Sequence, residues 1–134
     1  GFVFGILNAD NSFDEKRNKE LVELAHPIPC TFHRAFDVIS NVYQSLESVI
    51  ECGFKTVLTS GQGKNVMEGI EVLKLLVERA NGRIVIMPGG GLRSSAIAML
   101  DEIVNASFYH SSAITDSGEI ADGNEIEKIK NSLQ

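Results

Sequence analysis

IVIMPGGGLRSSAI, residues Ile84–Ile97, decides the reading of this chain. An apolar run rich in β-branched residues gives way to three consecutive glycines, and an Arg and two serines then open a helical pattern. This is the end of a β-strand, a loop whose bare backbone can approach a ligand closely, and a helix N-terminus. Outward from this stretch the same unit recurs. Strand-like runs begin near residues 2, 30, 56, 84 and 107, each followed by a helical pattern. Strand–helix alternation with short apolar strands predicts right-handed βαβ units and a parallel sheet covered by helices. An open doubly wound sheet and part of a (β/α)8 barrel both fit. A whole barrel takes about 250 residues and eight units, and only about five β/α units fit into these 134 residues.

The expected elements are as follows. Phe2–Leu7 is a strand. Ser12 and Glu15 form a capping box for a helix that buries Leu21, Val22, Leu24 and Ala25 and stops at Pro27 and Pro29. Cys30–Phe36 is the second strand. Asn41 caps a helix carrying Val42, Leu46, Val49 and Ile50 inward, with Gly53 at its C-terminal end. Thr56–Thr59 is the third strand, and Asn65 with Glu68 caps the next helix, which ends at Asn81-Gly82. Ile84–Met87 is the fourth strand, Ser94 caps the helix after it, and Ser107–His110 is the fifth strand. Asn124 with Glu127 caps a last helix.

Composition narrows the function. Eighteen acidic against twelve basic residues give a net charge of −6, which disfavours nucleic acid or an anionic membrane surface as partner. No apolar run reaches the length of a membrane span, and no signal peptide is evident. Cys30 and Cys52 form neither a disulfide framework nor a zinc pattern, so free thiols in a cytoplasmic setting are expected. The chain reads as a single domain over residues 1–134, beginning without Met directly in a strand.

Glycine and polar residues collect at the predicted C-terminal strand ends, where ligands bind in both architectures. Gly89, Gly90, Gly91 and Arg93, followed one unit later by His110, Ser111 and Ser112, have the spacing of a two-loop anion site. The other reading of the glycines is a tight turn needing them for sterics alone. In Thr31–Asp37, TFHRAFD, strand alternation puts His33 on the sheet's inner face. His33 is a candidate for proton transfer, with Arg34 and Asp37 positioning groups or pairing with each other. A structural His beside an Arg–Asp pair is the competing reading. Thr59 and Ser60 are candidate hydrogen-bonding contacts. Ser111 and Ser112 beside His110 lack a nucleophile elbow, so hydrogen bonding at a strand end is preferred there too. Cys30 and His33 lie three apart on a strand and face opposite sides. Met67, Met87 and Met99 are scattered, so no metal site is expected from ligand spacing.

Taken together, CTFHRAFD, TVLTSGQ, RIVIMPGGGLR and FYHSSA, with the opening GFVFGILNADNSFD, resemble the CutC family, named for copper homeostasis. The resemblance runs from Phe2 to about Ala113. It implies a TIM barrel, of which this chain would be the last five units with the N-terminal strands absent. It also implies a link to copper, with the family's cysteine ligands in the absent part rather than at Cys30 or Cys52. Five strands of a barrel leave open edges and an uncovered inner face, which predicts self-association or a homo-oligomer. Three functional readings follow: a CutC-like protein of copper homeostasis with a small-ligand site at its strand ends, an enzyme acting on a small phosphorylated or anionic metabolite, or a truncated product with no activity of its own.

Overall fold

A computed structural model describes residues 1–134. Four strands, β1 (Phe2–Phe4), β2 (Cys30–Phe32), β3 (Thr56–Thr59) and β4 (Val85–Pro88), form one parallel sheet in the order β1-β2-β3-β4. Helices α1 (Glu15–Ala25), α2 (Val42–Cys52) and α3 (Ile70–Ala80) make the crossovers. Helix α4 (Ser94–Val104) follows β4, and α5 (Gly123–Ser132) ends the chain. Sequential neighbours in a parallel sheet, each joined by a helix, form an arc of a (β/α) barrel.

The two faces of the sheet differ, and the register shows why. Phe4 pairs with Phe32, Phe32 with Val57, and Val57 with Ile86. This apolar row faces the helices, and its last three members are buried among Leu46, Val49, Leu73, Leu76, Ile97 and Leu100. Each such side chain contributes about 1.5–3 kcal/mol on burial. Phe4, Phe32 and Phe54 pack with tilted and edge-on rings at 5.2 and 5.3 Å. The alternate row, Val3–Thr31–Thr56–Val85, lies on the opposite face and stays half-buried or exposed, as expected of an uncovered inner face.

Several expectations need correction. The fifth strand does not form: of Ser107–His110 only His110 joins the sheet, through one parallel bridge to Gly89. Asn105 turns the chain at φ 51. The Tyr109 hydroxyl then donates to Asp101 (2.6 Å) and accepts from the Ala106 N–H (3.0 Å), tying the segment to α4 instead of β4. The second strand stops at Phe32, because Arg34–Val38 winds into a 3-10 turn. On α1, Leu24 is 83% exposed; it lies beyond the edge strand and, with Phe2, Val3, Phe4, Leu21 and Ala25, lines an open apolar recess.

Most helix starts differ from the expected ones for one reason: the sequence offers several polar side chains per start, and tertiary position picks one. Asp14, not Ser12, caps α1, accepting from the Arg17 N–H at 2.9 Å. Asn41 takes the N-cap position of α2 without a side-chain bond. Asn65 caps a short turn through the Met67 and Glu68 N–H groups, while α3 begins only at Ile70. Asp122, not Asn124, caps α5. The C-terminal ends came out as read: Gly53 (φ 101) and Asn81 (φ 45) adopt the left-handed conformation that stops α2 and α3.

Candidate functional site

The C-terminal strand ends are held together by Asp37. Its Oδ1 accepts from the Thr59 hydroxyl (2.6 Å) and the Ser60 N–H (2.8 Å), and its Oδ2 accepts from Arg34 Nε (2.6 Å). Thr59 and Ser60 are fully buried. The 3-10 turn after β2 is what makes this possible, since Arg34 and Asp37 three residues apart then share one side. Arg34 donates a second bond, from Nη2 to Ser60 Oγ (3.1 Å). Ser60 Oγ in turn donates to the Gly63 carbonyl (2.6 Å).

This fixes the guanidinium over the glycine loop. A Cβ at Gly90 would lie 2.9 Å from Arg34 Cζ and 3.0 Å from Nη1, and Gly90 has φ +121. Glycine is therefore required there both by conformation and by the approach of Arg34. Arg34, Leu58, Gly90, Gly91, His110 and Ser112 line an open recess of about 210 Å³. Arg34 Nη1 and the N–H groups of Gly90 and Gly91 have no acceptor within the chain. Ser112 Oγ makes only a 3.5 Å bond, from the Ile114 N–H. One cation edge, two backbone donors, an imidazole and a hydroxyl thus meet around a small polar opening. Such a donor set can hold an anion.

Other candidate residues are occupied elsewhere. His33 does not line the recess; its Nδ1 accepts the Ala35 N–H at 3.2 Å, capping the 3-10 turn. Nδ1 is therefore engaged by the turn, and Nε2 is the ring's other hydrogen-bonding atom. Arg93 is turned away and donates to the carbonyls of Leu92 (2.7 Å) and Ile114 (2.6 Å). Ser111 donates to the Leu92 carbonyl (2.7 Å) and accepts from the Ala113 N–H. Thr59 and Ser60 reach the recess only through Asp37 and Arg34. The serine expected to cap α4 is itself capped: Glu125 of α5 accepts from the Ser94 N–H (2.6 Å) and hydroxyl (2.8 Å).

Two anchoring residues had escaped the sequence reading. Glu125 is one; these bonds hold its carboxyl below the usual glutamate value. Asn18 is the other. It is fully buried, donates to the carbonyls of Ile6 (2.8 Å) and Asp14 (2.7 Å), and accepts from the Ile6 N–H (3.0 Å), pinning the loop after β1. An isolated buried Asn on an otherwise polar helix carries no periodic signal by which to find it.

No group of three His, Cys, Asp or Glu converges. Cys30 and Cys52 are 2% and 8% exposed and belong to the apolar core. Burial, with the Glu15 carboxylate adding to it, pushes the Cys52 thiol up to about 11; burial also raises Cys30. Copper(I) is bound by thiolates and thioethers at accessible sites; the two buried cysteines do not fit that requirement, and the exposed thioether of Met99 stands outside any cluster of ligands.

The model of the CutC family matches residues 1–115. The chain is 42% identical over 120 residues to the copper homeostasis protein cutC homolog of Mus musculus, covering 88% of this chain and 44% of that protein. It is 44% identical over 117 residues to a family protein CutC of Vibrio cholerae, covering 86% of this chain and 46% of that one. A solved structure under the name copper homeostasis protein CutC, from Streptococcus agalactiae, superposes with a TM-score of 0.75 at 33% identity, over 81% of this chain and 53% of that one. The chain spans about half the length of the relatives it matches. No helix is long and apolar enough to cross a membrane.

Proposed function

The chain belongs to the CutC family, and on that premise we propose that it supplies the anion-binding half of a barrel mouth, receiving a small phosphorylated or carboxylated ligand. The observation that carries this reading is the placement of the Arg34 guanidinium directly over Gly90, beside unpaired N–H groups and His110. Arg34 gives the ligand its charge partner, Gly90 and Gly91 donate backbone N–H bonds, and His110 and Ser112 close the far side. Asp37 positions Arg34 through Oδ2 and ties the turn to the end of β3 through Oδ1.

Calorimetric titration of the chain with inorganic phosphate tests the proposal. Saturable binding that Arg34→Gln abolishes is the expected result; binding unaffected by that substitution refutes it. Copper enters through the names of the relatives. Given the buried thiols, we propose that any copper chemistry shared with them uses donors outside the matched segment. Tight, stoichiometric copper(I) binding by this chain against a competing chelator would refute that assignment. The two free, buried thiols support a reducing, cytoplasmic setting.

A further inference from the structure

Both edges of the sheet are open. On β1, the Phe2 N–H donates to the Pro29 carbonyl (3.0 Å) and the Phe4 carbonyl accepts from the His33 N–H (3.1 Å), so both residues face β2. Val3, between them, turns its N–H and C=O outward. On β4, the Val85 and Gly89 N–H groups donate to the Lys55 (3.0 Å) and Thr59 (2.9 Å) carbonyls on the β3 side. Ile86 therefore turns outward in the same way. His110 bridges only the far end of this edge, at Gly89. Ahead of that bridge, Ile84 and Ile86, with Ala106 and Ser107, line a slot of about 180 Å³. The β1 edge has its own recess, about 270 Å³ and wholly apolar in its lining. Unpaired strand edges of this kind recruit further strands.

The exposed surface is also larger than a folded monomer of this mass needs. A monomer of 14.6 kDa exposes about 6,900 Å², whereas this chain exposes 7801 Å². The excess of about 900 Å² matches the ~800 Å² that each partner contributes to a standard protein interface. Part of it lies on the inner face, in the row Val3–Thr31–Thr56–Val85, where Val3 is 62% exposed. Phe2, Leu24 and Ile28 extend the apolar surface along β1.

We propose that two copies of this chain close a single eight-stranded parallel barrel, with β4 of each copy beside β1 of the other. A two-fold axis along the barrel keeps every strand parallel, and two four-stranded arcs supply the eight strands that a (β/α)8 barrel requires. Each copy then uses both open edges, Val3 in one seam and Ile86 in the other. The half-buried row becomes barrel interior, and the strand ends of both copies meet at one mouth. Each Arg34 recess is built from one chain's residues, so the closure stands apart from the anion reading.

Sedimentation equilibrium across a concentration series, with hydrogen exchange read at the Val3 and Ile86 N–H groups, tests the proposal. The mass should saturate at two chains, and exchange at both positions should slow several-fold together as the dimer fills. Val3→Pro removes an outward N–H without touching a β1–β2 bond. It should give a monomer in which Ile86 also loses its protection. Val3→Lys puts a charge on the face that the partner must cover, and it should have the same effect even where the proline disturbs the fold. A dimer that survives both substitutions overturns the proposal. So does a monomer at every concentration, which leaves the edges to some other polypeptide. A mass that grows past two chains indicates the same contact repeated without closure and refutes the barrel. Protection of Val3 without Ile86 indicates two β1 edges paired with each other, and refutes it equally.

Discussion

Replacing Asp37 with alanine should be among the most damaging single changes at the strand ends. The carboxylate accepts from Thr59 Oγ1 at 2.6 Å, from the Ser60 N–H at 2.8 Å and from Arg34 Nε at 2.6 Å. Thr59 and Ser60 have no solvent exposure, so neither donor finds water when the acceptor goes. An orphaned buried donor costs about 1–3 kcal/mol. Arg34 is partly exposed, and its lost ion pair adds at most about 1 kcal/mol. The sum is about 2–7 kcal/mol, a large share of the ~5–15 kcal/mol that holds a domain folded. With a urea dependence of about 2 kcal/mol per molar, the unfolding midpoint followed by circular dichroism should fall by about 1–3.5 M. Asp37→Asn separates the contributions. Its amide oxygen still serves Thr59 and Ser60, but its NH2 group meets the Arg34 donor, so the cost should be about 1–2 kcal/mol. An alanine variant within about 1 kcal/mol of wild type, or an asparagine variant as damaged as alanine, would refute the assignment of Asp37 as the tie between the 3-10 turn and β3.

Gly90→Ala should abolish phosphate binding, because its Cβ would strike Arg34 at 2.9 Å. Gly82→Ala, at φ +75 with nothing within 4 Å, should cost stability only, and equal phosphate affinity in the two variants contradicts the recess. Glu125, Asp122 and Asp14 are held below their ordinary values by hydrogen bonds from neighbouring N–H and side-chain groups. Depressed folded values mean that this stability is present above the unfolded values and lost as pH falls through the folded ones. The stability gap between wild type and Glu125→Gln should therefore be full above the ordinary glutamate value of 4.5 and shrink below it; a gap constant down to acid unfolding argues against a charged contact. Cys30 and Cys52 should resist alkylation at pH 8 until the chain is unfolded in urea, since both are buried with raised thiol values; rapid labelling of the native chain would show the core to be open. The apolar edge of Phe2, Val3, Leu24 and Ile28 should drive concentration-dependent association in sedimentation velocity, and a monodisperse monomer at all concentrations would count against it.

Periodicity and composition alone carried the α/β class, four of the five strand positions, and the end of the sheet on which the polar residues gather. These are local properties: apolar spacing repeats within a few residues, and left-handed stops such as Gly53 and Asn81 are written where they act. That Arg34, Gly90, Gly91, His110 and Ser112 gather at one recess was legible because each ends a strand or begins the turn after it. The partners of those residues were not legible. His33 read as a candidate for proton transfer; in the fold its Nδ1 accepts from the Ala35 N–H of the 3-10 turn, a contact that strand alternation does not announce. Arg93 read as an anion contact, but carbonyls at Leu92 and Ile114 take its donors. The fifth strand read correctly by propensity and failed because a tyrosine hydroxyl found Asp101 instead of leaving the backbone to pair. Ser94 and Glu125 stand 31 positions apart, a separation over which no local pattern speaks. Local pattern thus settles which groups arrive at the strand ends. Which of them remain free to meet a ligand was decided only by tertiary structure, because hydrogen-bond donors and acceptors are spent on whatever the fold brings within about 3 Å, however distant in the chain.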